Sequence, residues 1–357
     1  MIKMKSRVLV LLWCGSALAS QRGVARHARV RGAVASKAPV AIFTSDLCVG
    51  HEPGGVFGTH PEKPERLTGL LNAMRGEWRD AFGDEMQVFE PDGADVTQEQ
   101  LLRVHTQGHL DLVSDAFKRA RRWPLPINID ADTIVSKGTE AAATRAAGLV
   151  VAAVDAVLGK QTDLRRAFVM ARPPGHHAET DRPMGFCLYN NVLVGVAHAQ
   201  AVHGVDRVAI LDFDVHHGNG DADMAMEDPS RLYASSHQGD AFPYTGTETG
   251  REGPHENIIN APLPAGSGSA EFRGAWSKTL LPAVAAFKPD AIFLSAGFDA
   301  HAEDPLASMA LVDEDFGWIT TEVAKLGLPI ISVLEGGYDV DALERAARAH
   351  VAALIDS

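Results

Sequence analysis

Short apolar runs recur along this chain, and longer stretches with helical character separate them. Continuous apolar runs of four or five residues predict strands that are buried on both faces, as in a parallel sheet. Strands that alternate with helices predict an α/β layered domain. The apolar runs are 40–43, 167–170, 208–211, 291–294 and 330–334, and the predicted helices are 140–158, 191–203, 272–287 and 341–353.

Residues capable of chemistry follow four of these runs directly. The four segments are 172–177, 212–220, 295–301 and 335–338, and together they carry histidine, aspartate and tyrosine. Ligand sites in open α/β sheets form just beyond the carboxyl ends of the strands. The pattern therefore predicts that four separate segments deliver their side chains to one edge of the sheet.

The segment after the run 208–211 reads Asp-Phe-Asp-Val-His-His-Gly-Asn-Gly. It places Asp212, Asp214 and His216 at alternate positions of an extended chain, so their side chains point the same way. Two carboxylates and an imidazole rarely converge without a cation that neutralises the acids. Oxygen and imidazole ligands suit Zn²⁺ or a similar divalent ion. Taken alone, the segment predicts a catalytic metal site with these three ligands.

Charge is distributed unevenly along the 357 residues, which are enough for one large domain or two ordinary ones. The net charge is −13, but residues 1–45 contain eight Lys or Arg and no acid, which leaves −21 for residues 46–357. Such an acidic body disfavours nucleic-acid binding and favours cationic partners. The three scattered cysteines form no disulfide framework. No apolar run reaches the roughly 20 residues that span a bilayer.

The first 37 residues resemble a targeting leader. A basic start, the apolar run 8–13 and small residues at 17–19 are typical of a signal peptide, and the acid-free, Arg-rich stretch that follows is typical of a transit segment. Together they predict a two-part targeting signal, with entry to the secretory route followed by import into an organelle; either signal alone would direct the protein to the secretory route or to a plastid or mitochondrion. The alternatives are a disordered basic extension on a cytoplasmic or nuclear protein, or a misassigned start codon. We assign residues 1–37 to this leader and 38–357 to one catalytic domain.

The motifs in combination resemble the histone deacetylase family, including its bacterial amidohydrolase relatives, over about residues 40–355. The resemblance implies an arginase/deacetylase-like three-layer α/β fold with a central, mostly parallel sheet. It also implies a zinc-dependent enzyme that removes acetyl groups from lysine side chains. The matching segments are 60–67, 130–133, Arg-Pro-Pro-Gly-His-His at 172–177, Gly-Phe-Cys at 185–187, the 212–220 segment, Gly-Phe-Asp at 297–299 and Glu-Gly-Gly-Tyr at 335–338.

The resemblance changes the predicted ligand set. It implies that Asp214, His216 and Asp299 bind one Zn²⁺, and that Asp212 is the partner of His176 instead of a ligand. This replaces the interpretation drawn from strand periodicity alone. The resemblance also implies a structural monovalent cation, K⁺, held by the Asp212 backbone with Asp214, His216 and Ser235.

The resemblance assigns roles to the remaining site residues. His177 would be the general base for a metal-activated water, and Tyr338 would donate a hydrogen bond to the developing oxyanion. His176, paired with Asp212, would stay protonated and act electrostatically. Asn219 stands where some family members carry Asp as the partner of the second histidine. Because an amide stabilises an imidazolium less than a carboxylate does, His177 should be easier to keep neutral.

The resemblance also predicts the substrate pocket. Gly185, Phe186 and Phe242 would line a tunnel, since two aromatic rings suit the four-carbon stem of lysine. Arg66 would lie near an inner cavity from which acetate leaves. Family members selective for polyamines carry Glu seven residues after the last metal-binding Asp, and here that position is Leu306.

Three functions follow from these observations. The first is hydrolysis of acetyl-lysine in proteins, which the absence of an acid at position 306 favours. The second is hydrolysis of acetylpolyamines or other small acetylated amines. The third is a metal-binding interaction module that has lost catalysis, which would be expected only if Tyr338 or a metal ligand were missing.

Overall fold

The apolar runs form the strands that their pattern predicts. In the computed structural model, which describes residues 39–54, 60–123, 125–160 and 162–357, all five predicted strands are present within one or two residues of the predicted bounds. The predicted leader, residues 1–37, lies outside the described residues. The strands of the described chain are β1 (Val40–Thr44), β2 (Met86–Phe89), β3 (Ile127–Asn128), β4 (Ile134–Val135), β5 (Arg166–Met170), β6 (Val208–Asp212), β7 (Arg231–Gln238), β8 (Gly250–Glu252), β9 (Ile258–Leu263), β10 (Ala291–Ala296) and β11 (Ile330–Leu334).

Nine of these strands form one central sheet. Its order is β2-β1-β5-β11-β10-β6-β7-β9-β8, and every neighbouring pair is parallel except β8 with β9. β3 and β4 form a separate antiparallel pair. Because β1, β6, β10 and β11 are buried along their whole length, their sequences are mostly apolar at successive positions instead of alternating. The mostly parallel central sheet confirms the predicted fold class.

Helices flank the sheet, and the four predicted helices are all present. Two longer helical stretches each contain a π-helical turn, at Met74–Trp78 between α1 and α2 and at Trp276–Leu280 between α8 and α9. The α-helices are α1 (Glu65–Ala73), α2 (Arg79–Phe82), α3 (Gln98–Leu102), α4 (Gln107–Arg122), α5 (Thr139–Leu158), α6 (Asn191–His203), α7 (Asn219–Met226), α8 (Ser269–Ala275), α9 (Leu281–Phe287), α10 (Asp313–Ala324) and α11 (Val340–Asp356).

Helix α5 is apolar and long enough to cross a bilayer by length and composition. Two thirds of that stretch is buried within the protein, where α5 packs against β1, β5, β11 and α6. A helix in the core of a large α/β domain is expected to be apolar on most of its faces. The core location of α5 therefore accounts for its hydropathy.

Local signals set the bounds of α6, which connects β5 to β6. The Asn190 side chain accepts a hydrogen bond from the Leu193 amide at 2.8 Å and so caps the first turn. The helix ends at Gly204, whose φ of 65° lies in the left-handed region that glycine adopts at low cost. This crossover returns the chain to the sheet beside β10, so the carboxyl end of β6 lies at the same edge as that of β5.

Candidate active site

The four motif segments converge at one edge of the sheet. They follow β5, β11, β10 and β6, which are consecutive neighbours in the sheet order. Since these strands are parallel, their carboxyl ends lie side by side. The structure thus brings together residues that are as much as 166 positions apart between Arg172 and Tyr338.

Asp214, His216 and Asp299 form a buried cluster of potential metal ligands. One ligand atom from each lies within 4.8 Å of the others. The Nδ1 atom of His216 lies 3.0 Å from Asp214 Oδ1 and 3.1 Å from Asp299 Oδ2. These separations are near the roughly 3.3 Å expected between neighbouring ligand atoms of a tetrahedral zinc site. The three predicted ligands, Asp214, His216 and Asp299, therefore lie close enough together to bind one ion.

Backbone groups hold both carboxylates in place. The Gly336 amide donates to Asp214 Oδ2 at 2.8 Å, and the Val215 amide donates to Asp299 Oδ1 at 2.9 Å. The backbone also passes very near the carboxylates: a Cβ atom on Gly297 would lie 1.9 Å from Asp214 Oδ2, and one on Gly336 would lie 2.0 Å from Asp299 Oδ2. Only glycine allows this approach, which explains the glycines of the two motifs.

The charge balance of the cluster favours a cation. Burial alone would lower the pKa of His216, but the charges of Asp299 and Asp214 outweigh it and raise the pKa to about 10. Two buried carboxylates that both lie within about 3 Å of His216 Nδ1 thus strongly favour binding of a positive charge. Carboxylate and imidazole donors without cysteine are typical of catalytic zinc and related divalent ions. The residues present fit such a metal.

Asp212 is directed to other partners. Its Oδ2 atom lies 3.2 Å from His176 Nδ1 and accepts a hydrogen bond from the Tyr233 hydroxyl at 2.9 Å. Its other oxygen accepts from the Asp214 amide at 3.1 Å. Strand periodicity predicts Asp212 beside Asp214, yet no Asp212 oxygen belongs to the cluster of ligand atoms from Asp214, His216 and Asp299. The geometry therefore agrees with a partner of His176 and not with a third ligand from the same strand.

The adjacent histidines have opposite pKa shifts although their ring centroids are only 4.0 Å apart. Burial would lower the pKa of His176, but Asp214 and Asp212 raise it well above its usual value. Burial lowers the pKa of His177 well below its usual value, and the neighbouring His176 and His216 lower it further. These opposite shifts favour the protonated form of His176 and the neutral form of His177. His177 Nδ1 lies 2.8 Å from Asn219 Oδ1.

Tyr338 is buried and remains a hydroxyl donor, because burial raises its pKa well above the usual value. The buried Arg66 guanidinium lies 4.8 Å from the Tyr338 ring centroid. Arg66 also donates to the backbone carbonyls of Gly337 and Glu335, so it holds the loop that carries the tyrosine. Asp304 Oδ2 accepts a hydrogen bond from the Tyr338 amide at 2.7 Å.

Aromatic rings flank the cluster. The Phe186 ring centroid lies 5.9 Å from that of Tyr338, in an edge-on arrangement. The Phe242 ring centroid lies 5.0 Å from that of His177. Both phenylalanines are half-buried. Each predicted tunnel residue is therefore next to a predicted catalytic residue.

Gly185 and Leu306 complete the predicted substrate-binding set. Gly185 has a φ of 57°, and a Cβ atom there would lie 2.4 Å from His177 Cδ2, so this position needs glycine for both reasons. Leu306 is 40% exposed, and its amide donates to Asp304 Oδ1 at 2.9 Å. Asp304 therefore connects the surface position 306 to the tyrosine loop.

The predicted K⁺ site stays a prediction. Asp212 and Ser235 face each other across the β6–β7 ladder. The Ser235 hydroxyl lies 2.8 Å from His237 Nδ1, which gives it a partner within the protein.

Several supporting residues were not anticipated as site residues. Tyr233 lies within the β7 strand and binds Asp212, yet its sequence context is that of a core aromatic. Glu335 belongs to a motif, and its Oε2 atom accepts from the amides of Gly175 and His176 at 2.6 and 3.1 Å. Glu179 binds Asn219 at 2.7 Å. A carboxylate shortly after two histidines was the only sequence signal for it.

A second group could hold a metal ion by composition. Asp155 on α5 lies against His198 and His203 on α6, with one ligand atom from each within 4.8 Å of the others. The Asp155 side chain is 53% exposed. The group is built by a helix–helix contact and includes none of the four motif segments.

Comparison with known proteins agrees with this geometry. Residues 60–354 match the model of the histone deacetylase domain family. The chain is 32% identical to "Histone deacetylase 10, chloroplastic" of Oryza sativa, over 92% of this chain and 76% of that protein. It is 35% identical to the "Histone deacetylase-like amidohydrolase" of Pseudomonas aeruginosa, over 84% and 81%. The crystal structure of the HDA15 HD domain superimposes with a TM-score of 0.81 at 30% identity, over 90% and 89% of the two chains. The chain therefore belongs to the histone deacetylase family.

Proposed function

We propose that this protein is a zinc-dependent deacetylase that hydrolyses the acetamide of acetyl-lysine side chains in proteins. One observation carries the proposal. Two adjacent imidazoles with opposite pKa shifts, lowered for His177 and raised for His176, adjoin a buried cluster of oxygen and nitrogen ligand atoms and a buried tyrosine hydroxyl. Amide hydrolysis needs a base, a positive field and an oxyanion donor, and this arrangement supplies all three.

Asp214, His216 and Asp299 are the residues that would hold the metal. A bound Zn²⁺ would polarise the acetamide carbonyl and lower the pKa of a water at the site. Neutral His177 accepts the proton of the attacking water and then passes it to the leaving amine. His176 stays protonated and stabilises negative charge, while the Tyr338 hydroxyl donates a hydrogen bond to the oxyanion.

The surroundings support acyl-lysine as the substrate. Phe186 and Phe242 are half-buried rings beside the site, suited to contact the alkyl stem. Leu306 places an exposed apolar side chain where polyamine-selective family members carry Glu. A second cationic amine would find no carboxylate at that position. The charge of −21 on residues 46–357 nevertheless favours cationic amines in general, so an acetylpolyamine is the second candidate.

A direct comparison of substrates tests the proposal. Purified protein with Zn²⁺ is assayed on an acetyl-lysine peptide and on acetylputrescine, with Tyr338→Phe as the control. We expect faster hydrolysis of the peptide, and a loss of about 10²- to 10³-fold in kcat for the control because one oxyanion donor is removed. Faster hydrolysis of acetylputrescine would reverse the substrate assignment. Hydrolysis of neither amide would contradict the proposal as a whole.

We also propose that residues 1–37 direct the protein to an organelle. Their basic, acid-free composition supports this, as does the rice relative, whose name describes it as chloroplastic. A fluorescent protein fused behind residues 1–45 should enter the organelle. The matched control replaces Arg22, Arg26, Arg29 and Arg31 by Gln and should stay outside, and a diffuse signal for both fusions would contradict targeting.

A further inference from the structure

The partner of His177 is itself bound by a carboxylate. Asn219 stands where some family members have Asp, and the next residue outward from the site is Glu179. We propose that Glu179 is a positioning residue: its carboxylate fixes the orientation of the Asn219 amide, and the amide fixes which nitrogen of His177 carries the proton. The inference rests on the proposed role of His177 as the general base.

The contacts of Asn219 determine the orientation of its amide. The atom assigned as Nδ2 lies 2.7 Å from Glu179 Oε1, 3.3 Å from the His177 carbonyl oxygen and 3.3 Å from Met184 Sδ. All three neighbours are acceptors, so the amide nitrogen must face them. The amide oxygen then faces His177 Nδ1 at 2.8 Å, and that nitrogen must donate. In a neutral His177 the lone pair is therefore on Nε2, as a general base requires.

Glu179 is the strongest of the three acceptors. Its contact is the shortest of the three, and a hydrogen bond to an ionised group is roughly twice as strong as one between neutral groups. Glu179 is half-buried, which strengthens the bond further. Without Glu179, a reversed Asn219 amide would present its NH₂ group to His177 Nδ1. The imidazole proton would then move to Nε2, and the base would lose its free lone pair.

The backbone around Glu179 is anchored independently of its side chain. The Glu179 carbonyl accepts from His105 Nδ1 at 3.0 Å, and the Glu179 amide donates to the Arg182 carbonyl at 2.9 Å. The Asn190 amide donates to His105 Nε2 at 2.9 Å, so Nε2 is the acceptor and Nδ1 carries the ring proton. A substitution at position 179 should therefore leave the local fold intact.

The first test removes or preserves the acceptor. Glu179→Ala should lower kcat by about 10- to 100-fold with little change in KM, the loss typical of residues that orient a catalytic group. Glu179→Gln keeps a side-chain oxygen that can accept from Asn219, so it should restore most of the activity. The matched control is Glu252→Ala, which removes a Glu–Asn hydrogen bond of 3.2 Å, to Asn260, away from this pair. Equal kcat for Glu179→Ala and the control would overturn the proposal.

The second test reverses the sign of the effect. In an Asn219→Asp background, the new carboxylate would face Glu179 at the distance of the present hydrogen bond, and the two charges would repel. Glu179→Ala should therefore raise activity in that background while it lowers activity in the wild type. A purely structural role of Glu179 would give a loss in both backgrounds, and that result would overturn the proposal.

A third measurement does not depend on turnover. The ¹⁵N resonances of the imidazole nitrogens, assigned by comparison with His177→Ala, report which nitrogen carries the proton. We expect protonated Nδ1 in the wild type and in Glu179→Gln, and a shift toward protonated Nε2 in Glu179→Ala. An unchanged proton position in Glu179→Ala would refute the inference even if the deacetylase assignment holds. Conversely, an inactive wild type that shows the expected shift would refute only the deacetylase assignment.

Discussion

Two groups of histidine and aspartate in this protein have the composition of a metal site, but their surroundings differ. In the group Asp214, His216 and Asp299 both carboxylates are fully buried, and each accepts at least one hydrogen bond from a backbone amide. In the group Asp155, His198 and His203, the single carboxylate is 53% exposed. Composition alone therefore does not identify the functional site.

Hydrogen bonding explains the surface group without a metal. One oxygen of Asp155 lies 2.8 Å from His198 Nε2 and 2.7 Å from His203 Nε2. On the other side of the His198 ring, Arg103 lies 3.4 Å from Nδ1. Because arginine can only donate, Nδ1 accepts and Nε2 carries the proton that Asp155 receives. Hydrogen bonds between side chains thus account for the contacts of this group.

The buried group differs from the Asp155 group in its charge balance. The pKa of His216 is raised to about 10 by two carboxylates that overcome the effect of burial, so the site demands positive charge. The comparison teaches that backbone support and charge deficit distinguish a metal site from a polar contact between helices. The predictions below test this distinction.

The largest effect is expected from Asp299→Ala. Loss of one ligand from the buried group should abolish retention of zinc after dialysis. Since the metal contributes several kcal/mol to catalysis, activity should fall by at least about 10³-fold. Elemental analysis and the peptide assay measure the two outcomes. Asp155→Ala serves as the matched control and should retain both zinc and activity. Loss of zinc from the control, with retention in Asp299→Ala, would invert the comparison.

An intermediate effect is expected from pH at Glu335, the buried carboxyl behind His176. Burial raises its pKa from an ordinary 4.5 to about 8; His176 opposes the rise and Asp221 adds to it. Between these values the folded state binds more protons than the unfolded state. The free energy of unfolding should therefore fall as pH rises from about 4.5 to about 8. In the described part of the chain, the hydrogen bonds of the Asp155, His198 and His203 group involve no buried carboxyl.

Glu335→Gln removes this titration. A neutral amide oxygen can still accept from the amides of Gly175 and His176, so the two proteins should unfold at similar urea concentrations at pH 6. At pH 9 the variant should be more stable than the wild type, by roughly 1 kcal/mol or more, because it avoids a buried charge. Urea unfolding at both pH values measures the difference. A stability gap that does not change between pH 6 and pH 9 would contradict the expectation.

The sequence predicted the fold more completely than the site. Runs such as 291–294 predict buried strands because a parallel sheet covers both faces of each strand, and α6 matched its predicted bounds because Asn190 and Gly204 mark its ends. Periodicity also placed Asp212 beside Asp214. It could not assign their different partners, since these come from other strands. The strand-exit pattern placed Asp299, 85 positions beyond Asp214, at the same edge of the sheet, but its assignment as a ligand came only from the family resemblance.

The supporting contacts escaped prediction for a physical reason. The hydrogen bond between Glu179 and Asn219 joins the loop after β5 to the first residue of α7, and its geometry depends on the β5–β6 crossover. Likewise, nothing local distinguishes Tyr233 from a core aromatic, although its hydroxyl binds the carboxylate behind His176. Hydrogen bonds between elements that are far apart in the sequence leave no periodic signal. For the same reason, the contact between His203 and Asp155 could not be predicted from the sequence.

The smallest effect is expected from Asp155→Asn in the surface group. The amide oxygen of Asn can still accept from His198 and His203, and exposed ion pairs contribute only about 0–1 kcal/mol. The free energy of unfolding should change by less than about 1 kcal/mol, with unchanged kcat and one zinc per chain. Urea unfolding, the peptide assay and elemental analysis measure these outcomes. If wild-type protein instead retained two zinc ions per chain and Asp155→Asn retained one, the exposed group would be a metal site. Backbone support and burial would then no longer be the features that separate the two groups.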